Sequence, residues 1–214
     1  MAENKGNAMG FYDRYIVPPL IALACGAKPI RKQREKIVPL AEGIVLELGF
    51  GTGLNLPHYD FSKVTRVFAL EPSEGTLTRA RKAAAKSGAP VEILAETAEA
   101  LSLGPSSVDT VLVTYSLCTI PDAHAALEGA RRALRPAGRL LFCEHGLSPD
   151  PAVRASQAKI EPIWKRVAGG CRLTRDIPAL IASAGFEIEK LETMALPGTP
   201  AWAAFNSWGV ARAG

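Results

Sequence analysis

Along the chain, short continuous apolar runs alternate with longer stretches in which apolar residues recur every three or four positions. That is the pattern of buried strands alternating with amphipathic helices. Gly43–Leu48 (GIVLEL) is the first strand run, rich in β-branched residues and followed at once by glycines. Leu54–Tyr59 reads as a short helix or turn, Val64–Leu70 as a second strand, and Glu74–Ser87 as a helix closed by Gly88. Val91–Ala95 and Val108–Thr114 supply the third and fourth strands. Asp122–Leu134 reads as a helix stopped by Pro136 and Gly138, and Arg139–Glu144 as the fifth strand. Two helices, Ala152–Ala168 and Ile177–Ala184, precede two closing strands, Phe186–Leu196 and Ala203–Ala211. The alternation predicts parallel strands joined by right-handed crossovers, hence an α/β fold with a doubly wound, mostly parallel seven-stranded sheet. Residues 1–36 read as an N-terminal helical cap on a single domain, 37–214, that no repeat or Gly/Ser-rich linker divides.

Composition narrows this picture. A chain of 214 residues suits one large α/β domain, and 48% hydrophobic against 21% charged residues excludes wholesale disorder. The net charge of +4 is spread along the chain, with no basic stripe of the kind a nucleic-acid binder carries. Ile16–Ala27, the longest apolar stretch, is broken by Pro18, Pro19 and Gly26 and falls short of the roughly 20 residues a spanning helix needs. The amino terminus has no clearly basic signal-peptide region. A cytoplasmic protein is therefore expected, its cap folded over the domain, with peripheral contact of the cap with a lipid surface as the alternative. The run Arg31, Lys32, Arg34 and Lys36 reads as a solvated helix face.

Cys25, Cys118, Cys143 and Cys171 lie far apart with no C-x-x-C pair, which argues against a disulfide scaffold and a zinc site and fits a reducing compartment. No metal is expected. Cys118 and Cys143 read as small buried hydrophobes, and Cys171, after two glycines and before Arg172, as the thiol nearest to solvent.

The most informative stretch is Glu47-Leu48-Gly49-Phe50-Gly51-Thr52-Gly53. Three glycines stand where a buried strand turns sharply, and a glycine there permits positive φ and close approach of a ligand to the backbone. In an open α/β sheet such a turn borders the switch-point crevice. The spacing is G-x-G-x-G, and Leu54 occupies the third glycine's place in a dinucleotide fingerprint. Glu71 stands at the end of the second strand, where a carboxylate can accept two hydrogen bonds from ribose hydroxyls. Together these features predict a nucleoside ligand. Glu47, a buried acid beside the turn, is expected to face a cationic part of it.

The chain resembles class I S-adenosylmethionine-dependent methyltransferases. ELGFGTG (Glu47–Gly53), the acid in ALEPS (Glu71), and RRALRPAGRLLFCEH (Arg131–His145) carry the resemblance, which covers nearly the whole chain. In the third segment Ala137 stands where a second glycine is usual, which leaves any demand for positive φ on Gly138. After the third strand Thr97 stands where an acid beside the adenine is expected. The resemblance implies S-adenosyl-L-methionine as cofactor, held by Glu47, Gly49, Gly51, Gly53 and Asn55 around the turn. It assigns Glu71 and Pro72 to the ribose side, Thr97 and Ala98 to the adenine side, and Tyr115 to the end of the fourth strand. Tyr115–Pro121 (YSLCTIP), Glu144-His145, Gly169–Asp176 (GGCRLTRD) and FYDRYIVPPLIALACGAKPI are similar to the methyltransferase-like 7 group of thiol S-methyltransferases and its bacterial relatives. Some of those relatives are described as methylating phosphatidylethanolamine or quinones.

The resemblance therefore implies an S-adenosylmethionine-dependent enzyme acting on a small-molecule methyl acceptor, foremost a hydrophobic thiol or selenol. Methyl transfer from a sulfonium is an in-line displacement, in which positioning alone is worth roughly 7–11 kcal/mol. A thiol with a pKa of about 8.5 needs only modest activation. His145, directly after the fifth strand, is the candidate acid/base or acceptor-orienting group. Tyr12, and Tyr15 beside it, could close an aromatic face over the sulfonium or the acceptor.

Overall fold

The computed structural model describes residues 25–214. Tyr12, Tyr15 and the remainder of the cap ahead of Cys25 lie outside the described residues. The described chain begins with helix α1 (Lys28–Ile37), followed by β1 (Gly43–Leu48), β2 (Val64–Leu70), α2 (Glu74–Ser87), β3 (Val91–Leu94) and β4 (Val108–Thr114). Then come α3 (Ala123–Ala133), β5 (Leu134–His145), α4 (Pro151–Val167), α5 (Ile177–Ser183), β6 (Phe186–Ala195), the single turn α6 (Ala201–Ala204) and β7 (Phe205–Ala213).

The seven strands form one sheet in the order β3-β2-β1-β4-β5-β7-β6. Strands β1 to β5 run parallel, and β7 is antiparallel to both β5 and β6. The strand order reverses between β1 and β4, which places the switch point at their carboxyl ends. Successive residues of a strand face opposite sides of the sheet, and the central strands are apolar on both. Leu46, Leu48, Val111, Val113, Leu140 and Phe142 pack with α3 and α5 on one face. Val45, Val67, Leu112 and Leu141 pack with Ile37 of α1 and Ala80 of α2 on the other. By this alternation Glu47 points to the second face, with Val45.

Side-chain caps fix several boundaries. Asp122, Asp150 and Asp176 each accept backbone N–H bonds at the start of α3, α4 and α5, so the helices begin one residue after the acid. Strand β5 starts five residues earlier than the apolar run suggests, because Leu134 pairs with Val108 before Arg139 rejoins β4 at Thr110. The intervening Arg135–Gly138 segment bulges from the ladder. Gly138 is not in the positive-φ region. A Cβ there would lie 2.9 Å from the Asp109 carbonyl oxygen and 2.7 Å from Leu134, so close packing is what requires this glycine.

The expected solvated face of α1 is corrected at one position. Ile30, Gln33, Arg34 and Ile37 fall on one stripe at helical spacing, and Gln33 and Arg34 are buried with Ile37 against the sheet. Arg31, Lys32 and Lys36 do not share that burial. Lys36 lays its ammonium 3.9 Å from the Trp208 ring centre.

Candidate active site

A cavity of about 540 Å³ opens at the carboxyl ends of β1, β2 and β4. Its floor is the glycine turn after β1. Gly49, Gly51 and Gly53 all adopt positive φ (77°, 59° and 81°), a region that side chains with a Cβ enter at a cost. The first two do different work. A Cβ on Gly49 would overlap Ser116 of the facing turn, 2.7 Å from its Cβ, whereas a Cβ on Gly51 would meet nothing within 4 Å because it would project into open space. Gly53 is turned away from the cavity, close against Leu56 and Ala83.

Glu71 closes one side. Its Oε2 accepts from Gly51 N at 2.8 Å and its Oε1 from Ser73 N at 2.9 Å. Burial raises its pKa, and the two backbone N–H bonds oppose that rise. A carboxylate offers about four lone-pair sites, so two remain toward the cavity. Pro72, Thr97 and Ala98 line the same end. Glu99, two residues after the position where an acid is expected, lines it too, and its Oε1 accepts from Asp122 N at 3.2 Å.

Tyr115 forms the opposite wall. It holds φ +53°, an uncommon conformation for an aromatic residue, immediately after β4. That turn aims the next two amides, Ser116 N and Leu117 N, at Glu144 Oε1 (2.7 and 3.1 Å). The Tyr115 hydroxyl donates to Asn206 Oδ1 at 2.8 Å. Arg34 also lines the cavity. Its Nη1 donates to Asn55 Oδ1 at 2.7 Å and to Thr114 Oγ1, its guanidinium carbon sits 5.1 Å from the Tyr115 ring centre, and its buried Nε has no partner among the described residues.

Of the residues singled out in the sequence, the structure brings Gly49, Gly51, Glu71, Pro72, Thr97, Ala98 and Tyr115 to this cavity. Glu47, Gly53 and Asn55 stand behind its wall. Glu47 is 1% exposed and accepts from Tyr59 OH at 2.6 Å and Asn55 Nδ2 at 2.9 Å. Burial pushes its pKa up to about 7, against those two hydrogen bonds and the nearby Arg34. Arg34 is the cavity residue that charge reading missed. The signal was present in the helical spacing of Ile30, Gln33, Arg34 and Ile37, which a run of basic residues obscures.

His145 does not line the cavity either. Its Nε2 is 3.1 Å from Cys171 Sγ, which also receives the indole N–H of Trp164 at 3.2 Å. Cys118 completes the group, its Sγ within 4.8 Å of the other two donor atoms. Cys171 is buried, contrary to its expected access to solvent. Hydrogen bonding from Cys118, joined by His145 and Trp164, pulls the Cys171 thiol down to about 4 despite burial. Burial lowers the His145 pKa, but the Cys171 sulfur outweighs it and the net shift is upward.

Residues 46–142 match the methyltransferase domain family. Thiol S-methyltransferase TMT1B of Rattus norvegicus is 34% identical over 153 residues, 71% of this chain and 63% of the relative. Phosphatidylethanolamine N-methyltransferase of Cereibacter sphaeroides is 31% identical over 124 residues, 56% of this chain and 60% of the relative. The chain thus spans less than two thirds of the length of these relatives. Among solved structures, an S-adenosylmethionine-dependent methyltransferase from Thermotoga maritima matches at a TM-score of 0.64 and 23% identity, over 94% of this chain and 96% of that one, a likeness of fold. By its strand order, its glycine turn and these matches, the chain carries a methyltransferase domain and has the fold of the class I S-adenosylmethionine-dependent methyltransferases.

Proposed function

We propose that the protein transfers a methyl group from S-adenosylmethionine to a small acceptor, foremost a hydrophobic thiol or selenol. The observation that carries the cofactor half is Glu71, a buried carboxylate already tied to the glycine turn and with lone pairs left for a ribose diol. The chain's residues fit the rest of that ligand. The open space over Gly51 leaves room for a close backbone approach, and the Arg34 guanidinium at the cavity wall suits the carboxylate of an amino-acid tail. Thr97, Ala98 and Glu99 would border the adenine. When bound, the cofactor supplies a methyl group on a sulfonium, open to in-line attack. The polypeptide's part is to hold the two reactants in line and keep water out. A thiol acceptor suits a cavity with no histidine among its described lining residues, because a few per cent of a thiol with a pKa of about 8.5 is thiolate at neutral pH.

The name of the TMT1B relative supports a thiol. The phosphatidylethanolamine methyltransferase relative supports a second reading, N-methylation of a phospholipid headgroup. Under that reading the cap, including Tyr12, would meet the lipid surface. No described helix is long and apolar enough to cross a membrane. The deciding experiment is mass-spectrometric transfer from labelled S-adenosylmethionine to a panel of alkyl and aryl thiols, with phosphatidylethanolamine vesicles and quinols in parallel. A methylated thiol, formed faster as pH approaches the thiol's pKa, is the expected result. Methylation of lipid or quinol alone would overturn the acceptor and keep the cofactor. No cofactor binding in calorimetry would overturn both.

A further inference from the structure

We propose that Cys118, His145 and Cys171 form a binding site for a thiophilic metal ion, with zinc the ion their chemistry selects. The three donor atoms lie within 4.8 Å of one another, and His145 Nε2 and Cys171 Sγ are already at 3.1 Å. Around a tetrahedral zinc, with Zn–S of about 2.3 Å and Zn–N of about 2.0–2.1 Å, neighbouring donors stand about 3.5–3.8 Å apart. Adjustments on the order of 1 Å therefore convert the observed cluster into a Cys₂His coordination set.

The scaffold fixes these donors from three directions. Cys118 follows the strained turn after β4, Cys171 follows α4, and His145 ends β5, paired there with Asn206 of β7. Arg172 N donates to the Cys118 carbonyl at 3.0 Å, which seats one cysteine segment on the other. Arg175 Nη1 donates to the carbonyls of Leu117 and Ile120, the latter at 2.8 Å, and clamps the far side of the same turn. Glu161 Oε2 accepts from both Thr174 N and Thr174 Oγ1 at 2.7 Å and anchors the loop to α4. The site is organised before any ion arrives.

Its electrostatics suit a dication. Two thiolates and a neutral imidazole balance Zn²⁺, so the buried assembly carries no net charge. The Trp164 N–H bond to Cys171 Sγ is of the kind that orients a ligating thiolate from outside the coordination shell. Three protein ligands leave the fourth tetrahedral position for water or an added ligand. Metal binding at these three residues is independent of the methyl-transfer reading.

The test uses the full-length, reduced, tag-free protein, stripped with a chelator and titrated first with Co²⁺ and then with Zn²⁺. One Co²⁺ per chain is expected, with the near-ultraviolet sulfur-to-cobalt charge-transfer band and the visible bands of a tetrahedral site. Stoichiometric Zn²⁺ should abolish both. The C118S/C171S chain should lose the charge-transfer band and bind zinc about a hundredfold or more weaker, while C25S should match the wild type. Absence of the charge-transfer band at saturating Co²⁺ overturns the site. So does equal zinc affinity in wild type and C118S/C171S. If the double variant does not fold, the wild-type spectrum decides alone.

Discussion

The cleft over the glycine turn and the Cys118–His145–Cys171 cluster sit at the same carboxyl edge of one sheet, and they are built in opposite ways. The cleft is made by local chain geometry: three glycines within five residues, and a strand-end acid that grips the second of them by its N–H. The cluster is made by packing alone. Successive members lie 27 and 26 residues apart and meet only because β4, β5 and the loop after α4 end side by side. A motif written in adjacent residues survives as a pattern, whereas a site gathered from distant ones leaves none. The absence of paired cysteine spacing speaks against a zinc site in the sequence, but it bears only on ligands that share a short loop.

If the two regions are separate devices, changes in each should leave the other intact. The largest effect is expected at the turn. Gly49→Ala would meet Ser116 as well as the strain of φ +77°, and should cost about 2–4 kcal/mol of folding stability by denaturant titration. Gly51→Ala carries similar backbone strain without a clash. It should fold with a loss of about 1–2 kcal/mol and bind S-adenosylmethionine poorly, because its Cβ occupies the ligand's space. Equal behaviour of the two variants would mean that the cavity above Gly51 is not the binding surface.

Next comes Glu71→Ala, which should weaken cofactor binding by about 1.5–3 kcal/mol in calorimetry. Unchanged affinity would assign the ribose to another group. The corresponding change in the cluster, Cys171→Ser, should alter cofactor affinity by less than about threefold, or roughly 0.6 kcal/mol. A larger loss would join the two regions into one site.

Glu47 gives a pH-dependent prediction. Its carboxyl titrates near 7 when folded against 4.5 ordinarily, so between those values the folded state holds the proton more tightly than the unfolded chain. Stability should therefore fall as pH rises from about 4.5 to 7 and level off above, by on the order of 1–3 kcal/mol for this group. Glu47→Gln should remove that part of the slope in denaturation measured across the window, with cofactor affinity unchanged if Glu47 stands behind the wall. A steeper slope in the variant would contradict burial as the cause.

Arg34 and Gly138 show where reading residues one at a time falls short. A run of four basic residues suggests solvent, yet helical geometry turns one of them inward, where Asn55 and Thr114 receive its donors. A glycine shortly after a proline suggests a demand on φ, yet the Asp109 carbonyl of the neighbouring strand excludes the Cβ. In both cases the deciding contact lies on another element.

By itself the sequence determined the alternation of strands and helices, the single seven-stranded sheet, the sharp turn after β1 and the acid facing it. These follow from periodicity and backbone preference, which act over a few residues. Only the tertiary structure decided which strands are neighbours, which acids face the cleft and which stand behind it, and that two cysteines and a histidine share one buried pocket. Those depend on where elements remote in sequence come to rest, and side-chain packing across the sheet sets that.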